Sequence, residues 1–264
     1  MNVQTESLKR CFSIQARVIG ALLIREIITR YGRNNIGFLW LVIEPMLFTV
    51  GITIAWNVLK DFHGYDLPIT AFALTGYSTL LLWRNVSNRS VKSIAVNLAL
   101  LYHRNVKAFD LIVARTILEV AGATSSFVIL TITFTAMGWM NPPVDILTAI
   151  VGWLLTVWFT FSLSLIIGAV SEKSELIERV WHIITYLILP MSGVFYMVDW
   201  LPKGFQNIVL WVPMVHGTEM IRHGFFGSIV HTHENPAYFI VINLVTLLFG
   251  LVLIKASARW IEVE

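Results

Sequence analysis

Arg25–Trp56 reads REIITRYGRNNIGFLWLVIEPMLFTVGITIAW. Arg25, Arg30 and Arg33 run into a stretch, Ile36–Leu59, whose only ionisable residue is Glu44, followed at once by Pro45. A helix needs about 20 apolar residues to cross about 30 Å of hydrocarbon, and this run supplies them. The arginines before it would hold that end in the cytoplasm. Glu44 lies eight residues into the run, about 12 Å deep at a rise of about 1.5 Å per residue. An unpaired charge there costs at least about 3 kcal/mol. Glu44 must face the bundle, a wet cavity or a basic partner, or hold a proton. Pro45 cannot donate to the Leu41 carbonyl and disfavours a straight helix. A kink beside a buried acid suits a gate or cavity wall; a structural hydrogen bond between helices is the alternative.

The composition agrees with a membrane reading. Of 264 residues, 56% are hydrophobic and 13% charged, against about 25% charged in soluble domains. The net charge of +3 could point to nucleic acid, but the basic residues flank apolar spans, which the positive-inside rule explains. No nucleic-acid partner is expected. The single cysteine, Cys11, excludes an intrachain disulfide or a cysteine-built metal site. Met1–Cys11 is polar, without the apolar core of a signal peptide.

Outward from the first span, the expected fold is an all-α membrane protein of one transmembrane domain, residues 1–264. An amino-terminal interface helix occupies 1–35, six spans fill 36–254 and a cytoplasmic tail follows at 255–264. Ser7–Tyr31 is amphipathic, with Phe12, Ala16, Ile19, Leu23 and Ile27 on one face and Arg10, Arg17 and Arg25 on the other. Such a helix anchors on the membrane surface or docks a cytoplasmic partner. The second span is Leu67–Trp83. In the basic stretch that follows, Val91, Ile94, Ala95, Leu98 and Tyr102 fall at helical spacing, which predicts a short cytoplasmic helix over Ser90–Tyr102. The third span is centred on Val120–Met140, with Arg115 and Glu119 four residues apart at its approach, a spacing that pairs them on one helix face. Ile146–Val170 and Val180–Val198 are spans four and five, the latter interrupted by Pro190 and Gly193. In the outer connection, Phe205–Val215 and Glu219–Ile229 are apolar but too short to span, which favours re-entrant or interfacial helices. Tyr238–Ile254 is the sixth span. With six spans, sixteen of the 19 lysines and arginines fall on the side of the termini, placing both termini in the cytoplasm.

Nothing in the sequence binds a nucleotide: there is no glycine-rich loop ending in Gly-Lys-Ser/Thr, and no GxGxxG opens a helix. His216, His223, His231 and His233 gather in the outer region near Glu219. They lack the HExxH arrangement, so no metal site is assigned and residence at the headgroup boundary is the simpler reading. Trp83, Trp139, Trp200 and Trp211 fall near predicted membrane edges, where aromatic belts form. Trp40, Trp56, Trp153, Trp158 and Trp181 lie deeper. They either pack the core or line a path for sugar rings.

The order Arg30-Tyr31-Gly32, Leu39-Trp40, Glu44-Pro45 resembles the start of the permease subunits of ATP-binding-cassette (type-2) polysaccharide exporters, and the Glu-Pro variant looks most like the capsular branch. Asn97-Leu98-Ala99-Leu100-Leu101 through Arg104 is similar to that family's cytoplasmic coupling region. ARTILE (114–119) fits the start of its third span. Ser192-Gly193-Val194-Phe195-Tyr196, then Leu201-Pro202, Trp211, Pro213, His216, Glu219, Arg222 and Gly224-Phe225-Phe226, are similar to its outer re-entrant region. The related O-antigen exporters more often carry an uncharged residue at the position of Glu44.

The resemblance implies a homodimer with two copies of a cytoplasmic ATPase, which binds the ATP and magnesium; this chain itself needs no cofactor. The cargo implied is a lipid-linked polysaccharide, with periplasmic and outer-membrane partners continuing the route. Candidate conduit or gate residues are Trp40, Glu44, Pro45, Trp56, Tyr77 and Trp153. Candidate ATPase-coupling residues are Val91, Ile94, Asn97, Leu98, Leu101 and Arg104. Arg115 and Glu119 form a candidate intramembrane ion pair. Trp200, Pro202, Trp211, Pro213, His216, Glu219 and Arg222 form the candidate outer re-entrant region. The alternatives are an O-antigen or teichoic-acid exporter, an integral-membrane lipid-sugar enzyme, and a scaffold; scattered acids and unpartnered histidines argue against the enzyme.

Overall fold

A computed structural model describes residues 8–31, 35–58, 67–101 and 106–261. The described residues form α1 (Leu8–Tyr31), α2 (Asn35–Val58), α3 (Ile69–Ser90), α4 (Leu98–Leu101), α5 (Ala108–Ala136), α6 (Ile146–Ser171), α7 (Glu175–Ile188), α8 (Lys203–Val209), α9 (Pro213–Phe226) and α10 (Pro236–Ile261), joined by turns and short 3-10 segments, with no strand among them. Among the described residues, four segments are long and apolar enough to cross a membrane: Leu39–Trp56 in α2, Ala108–Ala136, Ile146–Ser171, and Pro236–Ser257 in α10.

α3 and α7 fall short of that measure for different reasons. α3 packs against α2, α5, α6 and α9, so protein encloses it and it need not be apolar all round. Several of its buried hydroxyls bond back into its own helix, Thr75 to the Ala71 carbonyl (2.8 Å), Thr79 to Thr75 (2.5 Å) and Ser90 to Val86 (2.9 Å). α7 is 14 residues long. It begins five residues before the expected fifth span and stops ten before its end. Ser174 caps it by accepting from the Leu176 amide (3.1 Å). A 3-10 turn, Leu189–Met191, carries Pro190, and Gly193 then turns the chain at φ +76°. That φ suits glycine because it has no Cβ to clash.

The helix expected over Ser90–Tyr102 is broken. α3 ends at Ser90, and the chain passes through Lys92 at φ +48° into a turn, a 3-10 segment at Ala95–Asn97 and the single turn α4. α1 also differs from its expected packing. Val18, Leu22 and Leu23 meet Leu111 and Ala114 at the start of α5, while Phe12 is 80% exposed. Polar contacts select the buried face: Gln15 bonds Asp110, Arg25 donates to the Asn97 side chain (2.6 Å), and Glu26 pairs with Arg115 (3.1 Å). These residues recur with Val18 and Leu22 on one stripe of the helix.

α6 is the central support. α9 lies antiparallel along its first half, with Gly217 against Thr156, Gly152 against Met220, and Gly224 against Ala149 and the Asp145 carbonyl. α10 packs along its length; the Asn243 side chain donates to the Leu155 carbonyl (3.0 Å), and Gly250 sits against Leu165 and Ser162. Small residues at these crossings let helix backbones meet closely, a feature of membrane bundles. The largest core cluster joins Phe72, Phe127, Trp153, Ile221 and Phe225, which belong to α3, α5, α6 and α9.

Candidate functional site

At the end of the bundle that carries α1, the segment 91–101 forms a tip held from beneath. Ile94 is fully buried among Ala108, Ile112, Leu165, Ala169 and Ile254. Glu172, just past α6, accepts the amides of Ile94 (3.0 Å) and Ala95 (3.1 Å), and the Ser171 hydroxyl accepts the Lys92 amide (2.9 Å). Burial pushes the Glu172 carboxyl above its usual range, against the pull of those two amides and of Lys92 and Arg115. Asn97 is buried and held by Arg25. Val96 (70%) and Leu98 (41%) are left facing outward. The expected coupling residues therefore divide in two: Ile94 and Asn97 are anchors, Val91 and Leu101 are half-buried, and Leu98 is presented. Arg104 lies outside the described residues. The expected Arg115–Glu119 pair is replaced by contacts between elements. Arg115 pairs with Glu26 and donates to the Arg89 carbonyl (2.9 Å), and Glu119 pairs with Arg89 (3.7 Å).

At the opposite end, α9 carries a fully buried Glu219 and Arg222. The Arg222 guanidinium donates to the carbonyls of Gly193 (2.5 Å), Val194 (2.8 Å) and Tyr196 (2.6 Å), and lies 4.0 Å from the centre of the Phe72 ring. Trp200 stacks on the same Phe72 (5.3 Å). Glu219 sits 4.0 Å from Arg222 and accepts the amides of Val198 (3.4 Å) and His233 (3.3 Å). His216 accepts the Asn235 amide at Nδ1 (3.0 Å), so its proton is on Nε2, which donates to the Leu210 carbonyl (2.9 Å). Pro202 precedes α8, and Pro213 opens α9, where its missing N–H has no helical acceptor to lose. His216, Glu219 and Arg222 thus tie α9 to its flanking turns and Trp200 stacks on α3, whereas Trp211 points outward, 76% exposed.

The candidate conduit residues separate. Trp153 is buried, stacked on Phe127 (4.6 Å, 5°) and donating to Thr124 (3.0 Å). Trp56 packs between Phe72 and Phe195, and Tyr77 packs against the cluster of Trp83 and Leu155. Trp40 and Glu44 lie one turn apart on α2. Trp40 is exposed, and Glu44 is half-buried without a hydrogen bond or ion pair to any described residue. Leu47, Phe48, Ile54 and Val58 extend an exposed apolar stripe along α2. At Pro45, α2 presses its Leu41 carbonyl onto Gly122 of α5, where an added Cβ would come within 2.8 Å of that oxygen.

Sequence reasoning missed Ser171, Glu172 and Phe72, which act on segments distant in the chain. Gly217 and Gly224, seven residues apart on one helix face, were a signal that periodicity could have caught.

The buried Glu219 and Arg222 of α9, packed against helices long and apolar enough to cross a membrane, define a helical membrane protein. Residues 17–226 match the family model described as ABC-2 type transporter, and the chain belongs to that family. It is 48% identical to the capsule polysaccharide export inner-membrane protein CtrC of Neisseria meningitidis serogroup B over 95% of this chain and 94% of that one. It is 45% identical to the capsule polysaccharide export inner-membrane protein BexB of Haemophilus influenzae over 96% of each chain. The polysialic acid transport protein KpsM of Escherichia coli is more distant, 27% identical over 92% of this chain and 95% of its own.

Proposed function

We propose that this chain is the permease of an ATP-binding-cassette exporter that carries a lipid-linked capsular polysaccharide across the bacterial inner membrane. The observation that carries this reading is the identity of 45–48% to capsule-export inner-membrane proteins along nearly the whole chain. The chain is a transport component, and a separate ATPase binds the ATP and magnesium and drives it by hydrolysis. Two permeases with two ATPases form the working unit. α2, α3, α5, α6, α7 and α10 are the six spans, with both termini in the cytoplasm, and α8 and α9 form the outer re-entrant pair. Support for re-entrance comes from α9, whose 14 residues reach only about 21 Å and lie along only the first half of α6, whereas α7, of equal length, is continued by the 3-10 turn Leu189–Met191. Val96 and Leu98 would then face the ATPase.

Deleting the gene from its host should remove surface polysaccharide while polymer accumulates inside. Leu98→Glu should fail to restore export and should lose the co-purifying ATPase, while the permease stays at normal level in the membrane. Normal surface polysaccharide in the deletion strain would reject the exporter reading, and full rescue by Leu98→Glu would remove the tip from it.

Glu44 supplies a second test. Among the described residues its carboxylate has no hydrogen-bond or ion-pair partner, which suits a side chain that faces the second permease or a wet conduit. Glu44→Gln preserves shape and hydrogen-bonding capacity. It should leave the amount of permease unchanged and reduce surface polysaccharide several-fold. If both Glu44→Gln and Glu44→Leu export normally at normal levels, the carboxylate has no role in the path.

A further inference from the structure

We propose that Asp199, His231 and His233 form a binding site for one zinc ion at the end of the bundle opposite α1. Asp199 follows α7 in the 3-10 turn Val198–Trp200, and the two histidines lie between α9 and α10. Far apart in sequence, they bring three ligand atoms within 4.8 Å of one another. His233 Nε2 is 3.0 Å and His231 Nδ1 3.8 Å from Asp199 Oδ1. Zinc bonds of about 2.0–2.2 Å in a tetrahedron set neighbouring ligand atoms roughly 3.3–3.6 Å apart. These two separations fall on either side of that range and all three ligand atoms lie within 4.8 Å of one another, a spread that side-chain adjustment can close around one ion. Two imidazoles and a carboxylate are a donor set that zinc takes when one position stays open.

The site is also held from behind. One oxygen of Glu219 accepts the amide of Val198, beside Asp199, and the other accepts the amide of His233 itself. This carboxylate is fully buried and balanced by Arg222. It fixes the backbone under two of the three ligands, as outer-shell groups do for metal sites. The third ligand, His231, is 75% exposed and closes the site from the solvent side. An open cavity of about 240 Å³, lined by Leu67, Met197 and Trp200 together with Asp199 and His231, leaves room for a water in the fourth position. With zinc in place, the turn after α7 and the segment before α10 are cross-linked outside the protein core. The inference stands on this geometry and does not depend on the transport reading.

The test uses the full chain in detergent with an affinity tag free of histidine. Zinc titration by calorimetry should give one ion per chain, and cobalt in its place should show the strong visible bands of a four-coordinate site. His231→Ala and Asp199→Asn should each weaken zinc binding at least about tenfold. His223→Ala, whose imidazole pairs instead with Glu234, should leave it unchanged. His231 is exposed and Asn has the shape of Asp, so both variants should run as the folded protein on gel filtration. Absence of saturable binding near one ion per chain, wild-type affinity in His231→Ala or Asp199→Asn, or an equal loss in His223→Ala would overturn the site.

Discussion

Arg222→Leu should leave almost no folded permease in the membrane. The side chain is fully buried, and its guanidinium serves three carbonyls in the turn 193–196, the Phe72 ring and Glu219. Leucine fills much of the volume but leaves Glu219 buried without its counter-charge. Removing one member of a buried pair costs about 3–5 kcal/mol, and each stranded carbonyl adds about 1 kcal/mol or more. Against a whole-protein stability of about 5–15 kcal/mol, that loss is decisive. Arg222→Lys returns a charge but not the planar fork that reaches several carbonyls together, so it should fall between Leu and wild type. Immunoblots of membrane fractions and thermal unfolding in detergent would rank the three. Wild-type amounts of Arg222→Leu, unfolding at the wild-type temperature, would refute this account of the α9 core.

Gly224→Val should be nearly as damaging, by a steric route. A Cβ at Gly224 would lie 2.5 Å from the Ala149 amide nitrogen and 2.7 Å from the Asp145 carbonyl oxygen. Both are backbone atoms of the α6 start and cannot swing aside as a side chain would. The same contact carries the Asp145 amide to the Gly224 carbonyl (2.8 Å). Valine must therefore lift the end of α9 off α6, exposing the region 199–235 to protease in detergent and abolishing export. Gly204→Val is the control, since nothing lies within 4 Å of a Cβ there; it should behave as wild type. Equal protease resistance in the two variants would mean that the α6–α9 contact does not hold the outer region.

The apolar lengths of α2, α5, α6 and α10 were readable directly, because hydrocarbon thickness imposes them on the sequence whatever the neighbours are. Within the fold, contacts between distant segments were not readable. Arg115 and Glu119 have the spacing of a helical pair, yet Glu26 and Arg89 reach them first from α1 and α3. α1 follows the same rule: Phe12 and Ile27 set an apolar period, but Gln15 and Glu26 select the face through partners on α5. The tip at 91–101 has helical spacing, but Glu172 draws the amides of Ile94 and Ala95 out of a helix. In the candidate outer region the structure gathers several of the named residues on one helix. His216, Glu219 and Arg222 recur at intervals of three residues, and all three are buried on α9. The grouping of Asp199 with His231 and His233 depends on a fold-back that no local pattern encodes.

α6 runs unbroken from Ile146 to Ser171 without a proline, a rod of about 39 Å. Its far tip is clamped to the 91–97 segment by Ser171 and Glu172, and its near end carries α9 in a cradle of small residues. Under the proposed transport reading, a push on the tip would meet no proline joint and would reach α9 as a tilt or slide of the rod, a lever with α10 packed alongside as its bearing.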